Sequence, residues 1–242
     1  MRCAGKSVLV TGAGGAIGTE LCRLLLAEGA EVLGVDRTDG GMPGLRDLNP
    51  DGRFAFTVAD VVDPRAMAEL AESRSGGFDG LVNVAGYFVI QDFLGSTTDD
   101  WQQMVDANLF TAMSASKAVL PSMIARGRGS IVNFASTAGE YGSIRPSAAY
   151  AAAKGGVIAF TKSLAREVAP QGVRVNCVSP GPVDTTMFSA GGKTDRTEAA
   201  SRTLIGRMGT PTDLALACVY LLSDESSYVV GEVLRVNGGS LI

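Results

Sequence analysis

The chain has 242 residues, 46% of them hydrophobic, and a formal net charge of −4. That is ample for one sizeable core, and without a Lys/Arg block it argues against nucleic acid or an anionic membrane surface as partner. Histidine is absent, which excludes Ser-His-Asp and Cys-His nucleophilic catalysis and every His-ligated metal site.

Proton transfer must then come from carboxylates, Lys, Tyr or Cys. The cysteines, Cys3, Cys22, Cys177 and Cys218, stand far apart without a C-x-x-C pair. They read as small hydrophobes rather than as metal or redox ligands, and no metal is expected. The apolar run after Met1 is too short for a signal-peptide core and nothing reaches membrane-spanning length, so a soluble cytoplasmic protein is the expectation.

In chain order, a strand-like run over residues 7–10 leads into Thr11-Gly12-Ala13-Gly14-Gly15-Ala16-Ile17-Gly18 and then a helical pattern over 19–28. Strand, glycine-rich turn and helix form the context of a dinucleotide fingerprint, in which glycines admit a pyrophosphate and the helix start offers free N–H groups. A second strand over 31–35 ends at Asp36, eighteen residues after Gly18, where an acidic side chain meets an adenosine ribose. A carboxylate there repels a 2′-phosphate, so NAD is expected over NADP, with Arg37 as the residue able to receive that phosphate.

Residues 40–50 read as a loop, 54–59 as a third strand ending at Asp60-Val61, and 64–73 as a helix with proline in its first turn. A fourth strand over 81–84 runs into Ala85-Gly86. Thr97 or Thr98 caps a long helix from 99 toward 126 that carries Asn108 in its middle. A fifth strand over 130–135 precedes Ser136, and a helix over 147–169 ends at Pro170. A sixth strand over 173–178 closes at Pro180-Gly181-Pro182, a polar insert covers about 187–208, a helix covers 211–222, and a last strand 233–236.

The alanine-rich run around Tyr150-Ala151-Ala152-Ala153-Lys154 favours helix, so Tyr150 and Lys154, four apart, share one face. An ammonium ~4 Å from a phenolate is worth about 4 kcal/mol at an effective dielectric near 20. That would lower the tyrosine pKa by about two to three before burial opposes it, giving a general acid/base for neutral pH.

Strands alternating with helices imply one domain over 1–242, an α/β doubly wound parallel sheet with helices on both faces. Ligands bind beyond the carboxyl ends of such strands. Gly12 to Gly18, Asp36, Asp60, Asn83 to Gly86, Ser136 and Pro180 to Thr185 all follow strands and therefore converge on one edge.

These residues resemble the short, single-domain branch of the short-chain dehydrogenase/reductase family over essentially the whole chain. The motifs are T-G-x-x-x-[AG]-x-G from Thr11, Asn83-Val84-Ala85-Gly86, mid-helix Asn108, Tyr150 with Lys154, and Pro180-Gly181-Pro182-Val183-Asp184-Thr185. The resemblance implies a seven-stranded Rossmann-type fold, nicotinamide chemistry and a homotetramer or homodimer. It makes Tyr150 the proton donor or acceptor, Ser136 the hydroxyl that polarises the substrate oxygen, and Lys154 the cation that also binds the nicotinamide ribose. Asn108 would help to hold a water, and Val183 and Thr185 would lie at the nicotinamide. Cofactor contacts would come from Gly12, Gly14, Ala16, Ile17, Gly18, Asp36, Arg37, Asp60, Val61, Asn83, Ala85, Gly86, Pro180 and Gly181.

Val84 stands where the family pattern commonly has Asn, and the interval from Ser136 to Tyr150 is one residue longer than usual. That leaves Ser143 as a rival for the serine role. Tyr87, Phe88, Val89, Ile90, Met187 and Phe188 suggest a partly apolar substrate pocket for a neutral ring or chain, with Glu140 and Tyr141 as polar contacts. The expected reaction is NAD-dependent interconversion of a secondary alcohol and a ketone. The alternatives are an NADPH-dependent 3-oxoacyl-carrier-protein reductase and, from another class, a non-catalytic nucleotide-binding protein.

Overall fold

The structure, a computed structural model, describes residues 1–39, 52–190 and 195–242. The loop expected over 40–50 lies outside them. Seven parallel strands form one sheet: β1 (Ser7–Thr11), β2 (Glu31–Asp36), β3 (Phe54–Val58), β4 (Gly80–Asn83), β5 (Gly129–Phe134), β6 (Val173–Pro180) and β7 (Val233–Val236). Their spatial order is β3-β2-β1-β4-β5-β6-β7.

Alternation along the strands explains the two-sided core. All of β1 is buried, and Val8 and Val10 face one apolar cluster while Leu9 faces the other. The first cluster takes Leu21, Cys22 and Leu25 from the helix Ala16–Ala27 and Leu214, Cys218 and Leu221 from the helix Pro211–Leu222. The second takes Met67 from the helix Pro64–Glu72, Val119 and Met123 from the helix Thr111–Ala125, and Ala165 from the helix Ala148–Val168. All four cysteines are free and buried, as small hydrophobes would be.

Several boundaries differ from the sequence reading. Strand β4 stops at Asn83, which frees Val84 to line the cleft described below. The long helix starts on a Thr97–Asp100 capping box but is broken at Asn108 by a π-helical turn, Asp106–Phe110, between Thr98–Val105 and Thr111–Ala125. Hydrophobic spacing does not reveal such a one-residue expansion. A short helix, Thr137–Tyr141, has no counterpart among the expected elements, because five residues are too few to carry a periodic signal. The insert expected at 187–208 contains two short helices, Thr186–Ala190 and Arg196–Ser201.

Among the described residues no helix is long and apolar enough to cross a membrane, and no group of three or more His, Cys, Asp and Glu could hold a metal ion.

Candidate active site

Strand order reverses between β1 and β4, and parallel strands whose crossovers depart to opposite sides leave a crevice beyond their carboxyl ends. A cleft of about 1390 Å³ opens there. It is lined by the glycine-rich turn, the ends of β2, β4, β5 and β6, the start of the helix Ala148–Val168 and the segment around Met187.

The glycine-rich turn fits a pyrophosphate by two observations. Gly12 has a φ of +67°, and a Cβ on it would stand 2.7 Å from the Ala85 nitrogen, so only glycine lets the turn pack against the end of β4. Gly15 sits at the N-cap of the helix Ala16–Ala27 without a side-chain cap, which leaves that N-terminus without a side-chain acceptor beside Gly15, Ala16 and Ile17 in the cleft.

At the other end, Ser136 and Tyr150 meet. The Ser136 oxygen accepts the Ala138 N–H at 3.2 Å as N-cap of Thr137–Tyr141, and the Ser136 side chain lies beside the Tyr150 phenol and acts to lower its pKa. Ser143, the rival, instead accepts the Ser147 hydroxyl at 2.7 Å and the Arg145 N–H at 3.2 Å. Phe88 packs edge-on against the Tyr150 ring at 4.9 Å between centroids.

Lys154 is buried and donates to the Phe134 carbonyl at 2.7 Å, with its Nζ 5.8 Å from the Tyr150 ring centroid. Burial pushes the Lys154 pKa down to about 8. Burial also raises the Tyr150 pKa, opposed by the Ser136 side chain. Burial thus outweighs the expected depression of the phenol pKa, and the Lys154 ammonium donates to a carbonyl.

Asn108 is buried at the π turn. Its Nδ2 donates to the carbonyls of Tyr87 at 2.8 Å and Met104 at 2.9 Å, and its Oδ1 accepts the Tyr87 N–H at 3.2 Å. The side-chain amide thus clamps the backbone that follows Gly86.

Of the residues expected to contact cofactor, Gly12, Ala16, Ile17, Gly18, Asp36, Arg37, Asp60, Val61, Ala85, Gly86, Pro180, Gly181, Val183 and Thr185 line this one cleft, as do Asn108, Ser136, Tyr150 and Lys154. Tyr87, Tyr141 and Met187 line it too. Three of the expected residues are held by partners inside the protein. The Asn83 side chain turns into the sheet and donates to Asn133 Oδ1 at 2.8 Å, because its position in β4 faces the neighbouring strand. The Gly14 N–H points at Asp36 Oδ2 at 3.0 Å rather than into the cleft. Glu140 is outside the cleft lining: its carboxylate accepts the Ser179 hydroxyl at 2.5 Å and pairs with Arg235 at 2.6 Å.

The sequence reading missed Gln102, Arg145 and Arg202, which also line the cleft. Arg145 stood within reach of inference as the one cation between Ser136 and Tyr150. Arg202 carried no local signal.

The family model described as enoyl-(acyl carrier protein) reductase matches residues 12–240. The 3-oxoacyl-[acyl-carrier-protein] reductase FabG of Vibrio harveyi is 39% identical over 99% of this chain and 98% of its own length. The protein of that name from Thermotoga maritima is 35% identical over the whole of both chains. A crystal structure of a candidate NAD(P)-dependent gluconate 5-dehydrogenase from Beutenbergia cavernae, with NADP bound at low occupancy, superposes with a TM-score of 0.91. It is 36% identical and covers 98% of this chain and 97% of its own.

That neighbour overturns the expectation of NAD. In the structure Asp36 Oδ2 accepts the Gly14 N–H at 3.0 Å and Oδ1 the Arg37 N–H at 2.7 Å, so backbone donors fix the carboxylate at the cleft wall. Arg37, a cation, lines the cleft beside it.

Proposed function

We infer the reaction from a premise that the comparisons establish: this chain belongs to the short-chain dehydrogenase/reductase family and is an oxidoreductase. We propose that it uses NADP(H) to interconvert a ketone and a secondary alcohol, with Tyr150 as general acid and base. The observation that carries this reading is that Ser136, Tyr150 and buried Lys154 line one cleft together with the glycine-rich turn.

The bound nicotinamide supplies or accepts the hydride. Gly15, Ala16 and Ile17 would hold its pyrophosphate and Arg37 its 2′-phosphate, with Lys154, Val183 and Thr185 toward the nicotinamide end. In reduction, Tyr150 gives its phenolic proton to the developing alkoxide, and in oxidation it takes that proton back. The raised Tyr150 pKa keeps the phenol protonated through neutral pH, which suits it to the reductive direction. The Ser136 hydroxyl stabilises the oxygen as charge builds. Lys154 brings positive charge near the phenol and fixes the end of β5, while Asn108 positions Tyr87 at the cleft wall.

The names of the Vibrio and Thermotoga relatives favour a 3-oxoacyl thioester as substrate, a reading the same residues can serve. A homotetramer is consistent with Phe110 and Met113, exposed apolar side chains beside and on the helix Thr111–Ala125. The four unpaired cysteines suit the cytoplasm.

The test is turnover of a ketone panel, including a 3-oxoacyl thioester, with NADPH and with NADH. The reading expects kcat/KM at least about tenfold higher with NADPH, a preference that Arg37→Ala erodes. Equal or better use of NADH would refute the cofactor part, and no turnover with either would refute the reaction.

A further inference from the structure

Beyond the reacting groups, the cleft carries a pair of guanidinium groups whose purpose the reaction does not account for. Arg145 and Arg202 line it together, from the segment before Tyr150 and from the end of the helix Arg196–Ser201. Arg202 is paired with Glu198, one helical turn away. Arg145 makes no ion pair among the described residues; its guanidinium lies over the Phe188 ring at 5.0 Å, and Phe188 is also a wall of the cleft.

Glu198 balances Arg202 and leaves the Arg145 charge without an ion pair among the described residues. Burial, and to a lesser degree the charge of Arg202, lowers the Arg145 pKa, against the opposing charge of Glu198. Arg145 is half-buried and Arg202 exposed, and only Arg202 has a carboxylate partner among the described residues. A ligand that brings a negative charge supplies the other. Stacking on Phe188 fixes the plane of the Arg145 fork, which suits a planar or tetrahedral oxyanion held through two N–H groups.

We propose that Arg145, with Arg202 beside it, forms an anion subsite that takes a carboxylate or phosphate carried by the substrate. This names the substrate class for the reaction above and rests on that reading: an oxo compound with an anionic group, in place of the neutral ring or chain that the apolar neighbours suggest. A free oxo acid and the phosphate of a carrier's pantetheine arm present the same chemistry to this site.

The experiment compares two matched pairs on the full-length chain with NADPH. One pair is 3-oxobutanoate and its methyl ester; the other is 3-oxobutanoyl phosphopantetheine and 3-oxobutanoyl pantetheine. Wild type should favour the anionic member of one pair by about tenfold or more in kcat/KM, and which pair identifies the source of the charge. Arg145→Ala should collapse that ratio about 10- to 100-fold, chiefly through KM, with Arg145→Lys restoring part of it and the thermal midpoint showing that each variant folds. Indifference of wild type to charge in both pairs overturns the proposal, and so does an equal loss on both members in Arg145→Ala, which would reduce Arg145 to packing on Phe188.

Calorimetric titration with 3-hydroxybutanoate, its methyl ester and phosphopantetheine separates this from the reaction. If neither pair turns over but an anion binds wild type about tenfold more tightly than Arg145→Ala, the subsite stands and the redox reading falls. Binding that ignores charge and the variant sinks the subsite alone.

Discussion

Lys154 Nζ donates to the Phe134 carbonyl at 2.7 Å and so ties the helix Ala148–Val168 to the end of β5, two residues before Ser136. Tyr150 lies one turn earlier on that helix, so this bond sets where the phenol meets the serine hydroxyl.

The tie is costly as a charge. With its pKa down at about 8 against an ordinary 10.5, protonated Lys154 opposes folding by about 3 kcal/mol at neutral pH. The folded state favours the neutral amine, so this cost is full below about pH 8 and fades as pH rises toward 10.5. Lys154→Met removes it but orphans the Phe134 carbonyl, at roughly 1–3 kcal/mol. The two nearly cancel. The variant should keep its thermal midpoint within about 3–5 °C of wild type while turnover falls about 100-fold or more. A large drop in midpoint would show that the lysine's role is mainly structural.

Burial sets the pH response of the reaction. Tyr150 has a raised pKa and remains a proton donor through neutral pH, whereas Lys154 loses its charge near pH 8. Reductive kcat/KM should therefore hold steady from about pH 6 to 7.5 and fall above about pH 8, while oxidation gains as pH rises and the phenolate forms. Initial-rate profiles in both directions check this. A reductive rate that climbs through pH 9 would contradict it.

Glu140 bridges Ser179 on β6 and Arg235 on β7 to the short helix that Ser136 caps. Glu140→Gln should lower the thermal midpoint by about 2–5 °C and leave substrate KM within about twofold. A tenfold rise in KM at unchanged midpoint would restore the substrate contact that the sequence suggested.

The doubly wound sheet was legible because strand runs, glycine turns and alanine-rich helices each carry a local signal, and strand ends alone bring Gly12, Ser136 and Pro180 to one edge. What a side chain does at that edge is less legible. Asn83, Gly14 and Glu140 follow strands like their neighbours, yet each turns to a partner inside the protein. Asp36 illustrates the same limit: its place at the end of β2 is legible, but its two backbone donors are not. The π turn at Asn108 and the presence of Arg145 and Arg202 in one cleft depend on tertiary packing, which no local pattern encodes.

The most direct measurement is NADPH-dependent ketone turnover by wild type and Tyr150→Phe, with NADPH affinity followed by fluorescence in both. The account predicts that the variant binds NADPH within about threefold of wild type and turns over at least about 1,000-fold more slowly. Substantial turnover by Tyr150→Phe, with affinity intact, would contradict the assignment of Tyr150 as the proton donor.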